Sequence, residues 1–294
     1  MLYGIRERQL SQLSRRAILC GFPALVGVGP VPAHGEAEFR LGLTPMFIDN
    51  DMNLLSLLQK YLAQRLAQPV RLVRQRTNRE TSVTLLAGQL DAALISDFLY
   101  VQYQERLALL AVPLYRHQPY SQTFVIVNEG SKASTFDDIR GTVHAFSDPD
   151  STSGYLMTRW LLALRRKSPA EFFRSFFFTY GDRNVIRAVA NGLAESGSID
   201  GYVWEVMKER EPELVDKTRI VFRSERLGLP PIVALDTTRD LPAIQALTAA
   251  LLGMTSDRLG REILSFLAFD GFTTASAALY ESTVEKWQVV KAQA

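Results

Sequence analysis

The sequence predicts an α/β protein of two lobes, each built on a mostly parallel sheet, and three observations carry the prediction. Short apolar strands alternate with helices of 3.6-residue apolar spacing from about residue 39 to residue 96, the pattern of right-handed βαβ units. The same alternation starts afresh at Thr142. Two further apolar runs, residues 123–127 and 232–235, bracket this second series as crossover strands into an inserted lobe and back. The expected division is residues 36–128 and 234–294 in the first lobe and 129–233 in the second, after a leader over residues 1–35.

That leader reads as an export signal rather than as structure. Arg6, Arg8, Arg15 and Arg16 form a basic start, an apolar run follows, and Val31-Pro32-Ala33 offers small residues for cleavage near Ala33. Ser14-Arg15-Arg16-Ala17-Ile18-Leu19 is similar to a twin-arginine motif, with Ile18 where Phe is commoner. The sole cysteine, Cys20, falls inside the leader, so a cleaved chain has no disulfide, thiol nucleophile or thiolate ligand. Its context, with Leu19 before it, does not suit lipid attachment. Cleavage lowers Lys plus Arg from 33 to 29 and Asp plus Glu from 31 to 30, leaving a nearly neutral chain without the basic footprint of a nucleic-acid binder. No later apolar run approaches the roughly 18 residues of a membrane span. With 47% hydrophobic residues, the remaining chain can bury a sizeable core.

Phe39-Arg40-Leu41-Gly42-Leu43 alternates as a first strand and stops at Thr44-Pro45. Leu54, Leu55, Leu58, Tyr61, Leu62 and Leu66 then recur at helical spacing. Residues 70–73 form a second strand, a helix runs over about 79–90, and residues 91–96 are a short buried strand. Ligands of such sheets bind beyond the carboxyl ends of the strands, where Thr44, Ser96 and Asp97 fall. In the second series, residues 142–146 are a strand and the next helix reaches about residue 167. Ser168-Pro169-Ala170-Glu171 is a capping box with Pro at the first helical position. Phe176-Phe177-Phe178 reads as a buried strand, and Val185, Ile186 and Val189 mark a helix. Short strands follow at 199–203 and 219–222. Two helices then carry Ile244, Leu247, Leu251 and Leu252, and Leu259, Ile263, Leu264 and Leu267, with Gly271 beyond as a stop.

The chain is organised around Ser147-Asp148-Pro149-Asp150-Ser151-Thr152-Ser153-Gly154. Asp148-Pro149 is a turn signal, and Ser151, Thr152 or Ser153 can cap the helix carrying Leu156, Trp160, Leu161 and Leu164. Three hydroxyls and a glycine at a helix start concentrate hydroxyl and backbone N–H donors at the positive end of the helix dipole. Such a point suits an oxyanion; it also suits an ordinary helix cap.

The segment Asp148-Pro149-x-Ser151-Thr152-Ser153-Gly154-Tyr155-Leu156 resembles the ligand turn of periplasmic solute-binding proteins for phosphonate, phosphite and related oxyanions. Leu43-Thr44-Pro45, Gly88-Gln89-Leu90-Asp91-Ala92-Ala93, Tyr120-Ser121 and Phe172-Phe173 ahead of Gly181 keep that family's order. The resemblance implies a type II periplasmic binding fold closing on its ligand, without catalysis. It assigns Ser151, Thr152, Ser153 and Gly154 to the oxyanion, with Tyr120 and Ser121 supplying hydroxyls from across the cleft and Thr44 beside them. Asp200 matches an acidic position that in some relatives faces an amine or a protonated ligand oxygen, and Tyr202 follows it. Many relatives carry His after the Gly181 turn; this chain has Asp182-Arg183. Arg183 has the fork geometry to pair bidentately with the oxyanion; its position also suits a surface arginine near a helix start.

Other chemistry finds little support. His34, His117 and His144 have no metal-ligand spacing, and no HExxH, P-loop or GxSxG motif occurs. The expectation is therefore no cofactor, no metal and no enzymatic activity. The first reading is a monomeric periplasmic receptor delivering a small tetrahedral oxyanion to an ABC permease. The alternatives are a ligand-sensing partner of a membrane histidine kinase and, third, a transferase on the same bilobal fold.

Overall fold

The computed structural model describes residues 38–44 and 52–293. The expected export signal with Cys20 and its cleavage site, and Pro45 after β1, lie outside the described residues.

The first sheet grows from β1 (Phe39–Leu43), α1 (Met52–Leu66), β2 (Val70–Arg74), α2 (Asn78–Leu86), β3 (Ala92–Leu94), α3 (Asp97–Tyr103) and β4 (Leu107–Leu114). All six apolar residues of the first helical repeat are buried on α1, and Tyr61 among them donates its hydroxyl to the Ala250 carbonyl at 2.7 Å. Gly42 permits β1 to lie close to α2 and β3, since a Cβ there would meet Ala93 Cβ of β3 at 3.0 Å and Thr81 Cγ2 of α2 at 3.1 Å, besides Leu90 Cδ1 at 2.6 Å.

The chain then turns through Arg116 and His117, both at positive φ, and enters a second sheet with β5 (Tyr120–Asn128). There follow β6 (Val143–Phe146), a π-helical turn (Thr152–Leu156), α4 (Met157–Ala163), α5 (Pro169–Phe172), β7 (Ser175–Phe178) and α6 (Asp182–Ala190). The series continues with β8 (Ser196–Asp200), α7 (Gly201–Arg210), α8 (Pro212–Val215) and β9 (Thr218–Gly228). The capping box forms as read, with Glu171 Oε2 accepting from the Ser168 N–H at 2.7 Å. The chain returns with β10 (Ile232–Leu235), α9 (Pro242–Leu252), α10 (Arg258–Leu267), β11 (Gly271–Thr273) and α11 (Glu281–Lys291).

Strand order is β11-β4-β10-β3-β1-β2 in the first sheet and β7-β6-β8-β5-β9 in the second. Each contains a parallel trio, β3-β1-β2 and β7-β6-β8. The strands at the passages between lobes, β10 and β5, run antiparallel to their neighbours. Pairing therefore draws the lobe division elsewhere than the sequence suggested. Residues 120–128 belong to the second sheet, where Val127 pairs with Ser196 and Arg219, and Ile232 and Val233 belong to the first. The passages between sheets are residues 115–119 and 229–231. An apolar strand is equally apolar whichever sheet accepts it, so composition does not report the difference.

The Phe176–Phe178 stretch is a strand but is not fully buried. As β7 it is an edge with β6 as its pairing partner, and Phe177 is 38% exposed. The expected strand over 199–203 ends at Asp200, whose side chain caps α7 by accepting the Tyr202 N–H, and α3, β4, α7, α8 and the C-terminal helix α11 escaped the sequence reading. Helix α11 packs on α3 of the first lobe and α4 of the second, with Lys286 buried at 3% exposure over the Trp160 ring.

Candidate ligand-binding site

The carboxyl ends of β3, β6 and β8 converge with the turn before α6, and the serine turn sits at the meeting point. Where β6 ends, the Asp148 carboxylate shapes the turn by accepting the Asp150 N–H at 2.7 Å through Oδ1. Its Oδ2 accepts the Asn78 N–H from the first lobe at 3.1 Å. Ser151 then caps the π-helical turn, its Oγ accepting the Gly154 N–H at 2.9 Å. Glycine is required at 154 because a Cβ would lie 1.7 Å from Ser147 Oγ. The helix start is wound as a π-helix over Thr152–Leu156, a winding that recurs at functional sites.

Three carboxyl groups face this turn, Asp97, Asp182 and Asp200, and Asp148 of the turn joins them on the wall of one cavity, none of the four more than 6% exposed. The open space left between the side chains is about 20 Å³, on the order of one water molecule. No Lys or Arg lines it. Burial pushes Asp97 and Asp182 up to about 7, the Asp200 charge adding to both. Burial likewise lifts Asp200 to about 6 against hydrogen bonds from Ser121, the Tyr202 N–H and Ser153, and it raises Asp148. These carboxyl groups repel one another and lack a cation, so near neutrality the cluster favours holding protons. Among the described residues no group of His, Cys, Asp and Glu could hold a metal ion.

Three hydroxyls of the β6 end and the turn are aimed at three of these acids. Thr152 lies by Asp97, Ser153 by Asp200 and Ser147 by Asp182, close enough to favour each carboxylate. Ser147 and Thr152, each 2% exposed, nevertheless make no well-formed hydrogen bond among the described residues. A buried hydroxyl without a partner costs about 1–3 kcal/mol. Donor capacity is therefore kept in reserve where the acids and the turn meet.

The expected site residues divide. Ser151, Ser153 and Asp200 line the cavity, and Thr152 and Gly154 are buried in the turn behind it. Thr44 is buried at the end of β1, its hydroxyl without a hydrogen-bond partner among the described residues. Ser121 donates to Asp200 Oδ1 and accepts the Tyr202 N–H at 3.1 Å, so it orients the acid. Tyr120 begins β5 opposite Gly228 and lines a separate groove of about 190 Å³ with Arg116 and Glu205. The Arg183 guanidinium pairs with Glu211 and is absent from the cavity wall, because the first turn of α6 directs Asp182 inward and its neighbour outward. Tyr202 packs its ring on Phe269 and against Tyr115 and donates its hydroxyl to the Leu267 carbonyl, a joint between the lobes rather than a cavity wall.

Asn78, Ser147 and Asp182 were missed as wall residues, and Asp97 was noted only as lying at a strand end. Ser147 and Asp182 adjoin motifs that were read, so strand-end position alone could have found them. Asn78 carries no sequence signal, since the other lobe brings it to the site.

A family model described as the phosphonate periplasmic substrate-binding protein of ABC transporters matches residues 41–280. Among solved structures, a binding-protein component of an ABC phosphonate transporter from Pseudomonas aeruginosa superposes with a TM-score of 0.80 at 14% identity, over 88% of each chain. PhnD1 from Prochlorococcus marinus in complex with methylphosphonate gives 0.76 at 16% identity, over 86% of this chain and 98% of that one. The GluR0 ligand-binding core from Nostoc punctiforme in complex with L-glutamate gives 0.55 at 15% identity, over 78% and 97%. At these identities the structural likeness establishes the type II periplasmic binding fold.

Proposed function

This chain belongs to the phosphonate family of ABC-transporter periplasmic substrate-binding proteins, and from that premise we propose that it captures a small tetrahedral oxyanion, a phosphonate, phosphite or phosphate-like ion, in a proton-bearing form. The family places it outside the cytoplasm, with a small-molecule ligand and an ABC permease as its partners. On our reading it is exported by the leader cleaved near Ala33, works in the periplasm as a monomer, and performs no catalysis.

One observation carries the ligand reading: hydroxyls in reserve on Ser147 and Thr152 face buried carboxyl groups in a cavity that no Lys or Arg lines. Hydroxyls and N–H groups of the turn donate to unprotonated oxygens. The acids serve in whichever form the ligand requires, accepting a P–OH proton as carboxylates or donating as carboxylic acids. A dianion set against ionised Asp97, Asp182 and Asp200 would meet repulsion on every side; a hydrogen-bearing monoanion carries one charge fewer and donates its P–OH to one of the carboxylates. Phosphoryl groups suit this site because their second ionisation falls near about pH 6.

The experiment is calorimetry with methylphosphonate and methylsulfonate, which share a shape but differ in the proton available at neutral pH. Methylphosphonate should bind and methylsulfonate should bind at least about a hundredfold more weakly, because a polar site left unpaired rejects its ligand's analogue strongly. Thr152→Ala and Ser153→Ala should each weaken methylphosphonate by about ten- to a hundredfold with the fold intact. Equal affinity for the sulfonate would overturn the proton-bearing reading. Near-parental affinity in both hydroxyl variants would reduce the turn to a helix cap.

A further inference from the structure

The serine turn is gripped from outside the cavity by the other lobe. Helix α2 starts behind the Thr77 cap, whose Oγ1 accepts the Glu80 N–H at 3.1 Å. Its first residue donates its N–H to Asp148, and its second, Arg79, reaches Asp150. Nε meets Oδ2 at 2.8 Å and Nη2 meets Oδ1 at 2.5 Å, a two-pronged pairing. The Asp150 side chain is 6% exposed and the Arg79 side chain 59%. Neither lines the cavity. Asp148 and Asp150 flank Pro149 in the same turn, so a single helix start of the first lobe holds two consecutive anchors of the second.

We propose that Arg79 and Asp150 form an interlobe latch, a pair of positioning residues that holds the closed arrangement and keeps the serine turn in its binding geometry. The pair exists only while the lobes are together. Opening them strips Asp150 of its cation, so the pairing weights the equilibrium toward closure by its own free energy. A fork-shaped guanidinium on a nearly buried carboxylate is stronger than an ordinary surface pair. Its loss should lower the closed-to-open ratio about five- to twentyfold, the ratio corresponding to about 1–2 kcal/mol. Salt should weaken the latch, because the arginine faces water.

The test is an interlobe distance, read by double electron–electron resonance between spin labels at Leu193→Cys and Leu241→Cys with Cys20→Ser. Both leucines are exposed, at 72% and 53%, one in each lobe. In the ligand-free protein, Arg79→Ala and Asp150→Asn should each move the distribution toward the longer, open distances. Arg79→Lys should fall between, and Arg79→Ala combined with Asp150→Asn should shift it little further than either alone. An unchanged distribution in Arg79→Ala, or fully additive effects of the two substitutions, would overturn the latch. A melting-temperature loss no greater than the roughly 2–8 °C that the latch itself accounts for excludes general damage to the fold. A second arm rests on the proposed function: the dissociation rate of methylphosphonate should rise by the same factor in Arg79→Ala, and an unchanged rate counts against the latch. Failure of the unsubstituted protein to bind methylphosphonate would refute the ligand assignment, while the ligand-free distances still decide the latch.

Discussion

Replacing Asp200 by Asn should stabilise the ligand-free protein, by an amount that grows as pH rises from about 4 to about 6 and is level above that. Asp200 is 5% exposed and stands with Asp97 and Asp182 in a cavity wall without a cation. Its carboxyl is lifted from an ordinary value of 3.8 to about 6, burial being the first cause. A carboxyl raised in the folded state binds its proton more tightly there than in the unfolded chain. It is accommodated fully below pH 3.8, and stability is lost as pH climbs through about 6. At 1.36 kcal/mol per unit the whole cost is about 3 kcal/mol at pH 8. Asparagine keeps an oxygen for the Tyr202 N–H, which Asp200 Oδ1 accepts at 2.9 Å. It also relieves the Coulombic pressure on Asp97 and Asp182. Imperfect accommodation of the new amide reduces the gain, leaving about 1–3 kcal/mol at pH 8 and at most about 1 kcal/mol at pH 4.5. For a chain of this size that is a rise of roughly 3–8 °C in melting temperature at pH 8. Differential scanning calorimetry at half-unit steps from pH 4.5 to 8.5 measures it. A variant no more stable than the parent at pH 8, or one stabilised equally at both ends of the range, would refute the picture of an uncompensated buried anion.

Gly154→Ala puts a methyl where Ser147 Oγ lies, 1.7 Å from the added carbon. It should destabilise by about 1–3 kcal/mol and weaken methylphosphonate more than about tenfold, as denaturant titration and calorimetry would show. Arg183→Ala removes the Glu211 pairing, whose side chains are about one-third exposed. It should cost less than about 1 kcal/mol and leave methylphosphonate affinity within about twofold; a loss as large as that from Thr152→Ala would return Arg183 to the site.

The sequence by itself determined the local features. The six apolar positions of α1, the capping box at Ser168, the serine turn and its Gly154 were legible because helical spacing and capping are set by residues within a turn or two of each other. The resemblance carried by that turn brought the fold class with it. Tertiary structure alone decided which neighbour of a pair faces inward. Asp182 and Arg183 are adjacent, yet the rotation of about 100° per residue on α6 sends one to the cavity and the other to Glu211. Tyr120 and Ser121 alternate across β5, so strand pairing sends only Ser121 to Asp200. The lobe passages at residues 115–119 and 229–231 depend on which sheet accepts β5 and β10, and their apolar sequences suit either. The carboxyl cluster is the furthest from sequence. Asp97, Asp148, Asp182 and Asp200 come from four separate segments, and their raised pKa values arise from desolvation and mutual charge when two lobes bring them together. Nothing near any one of them along the chain encodes that closeness.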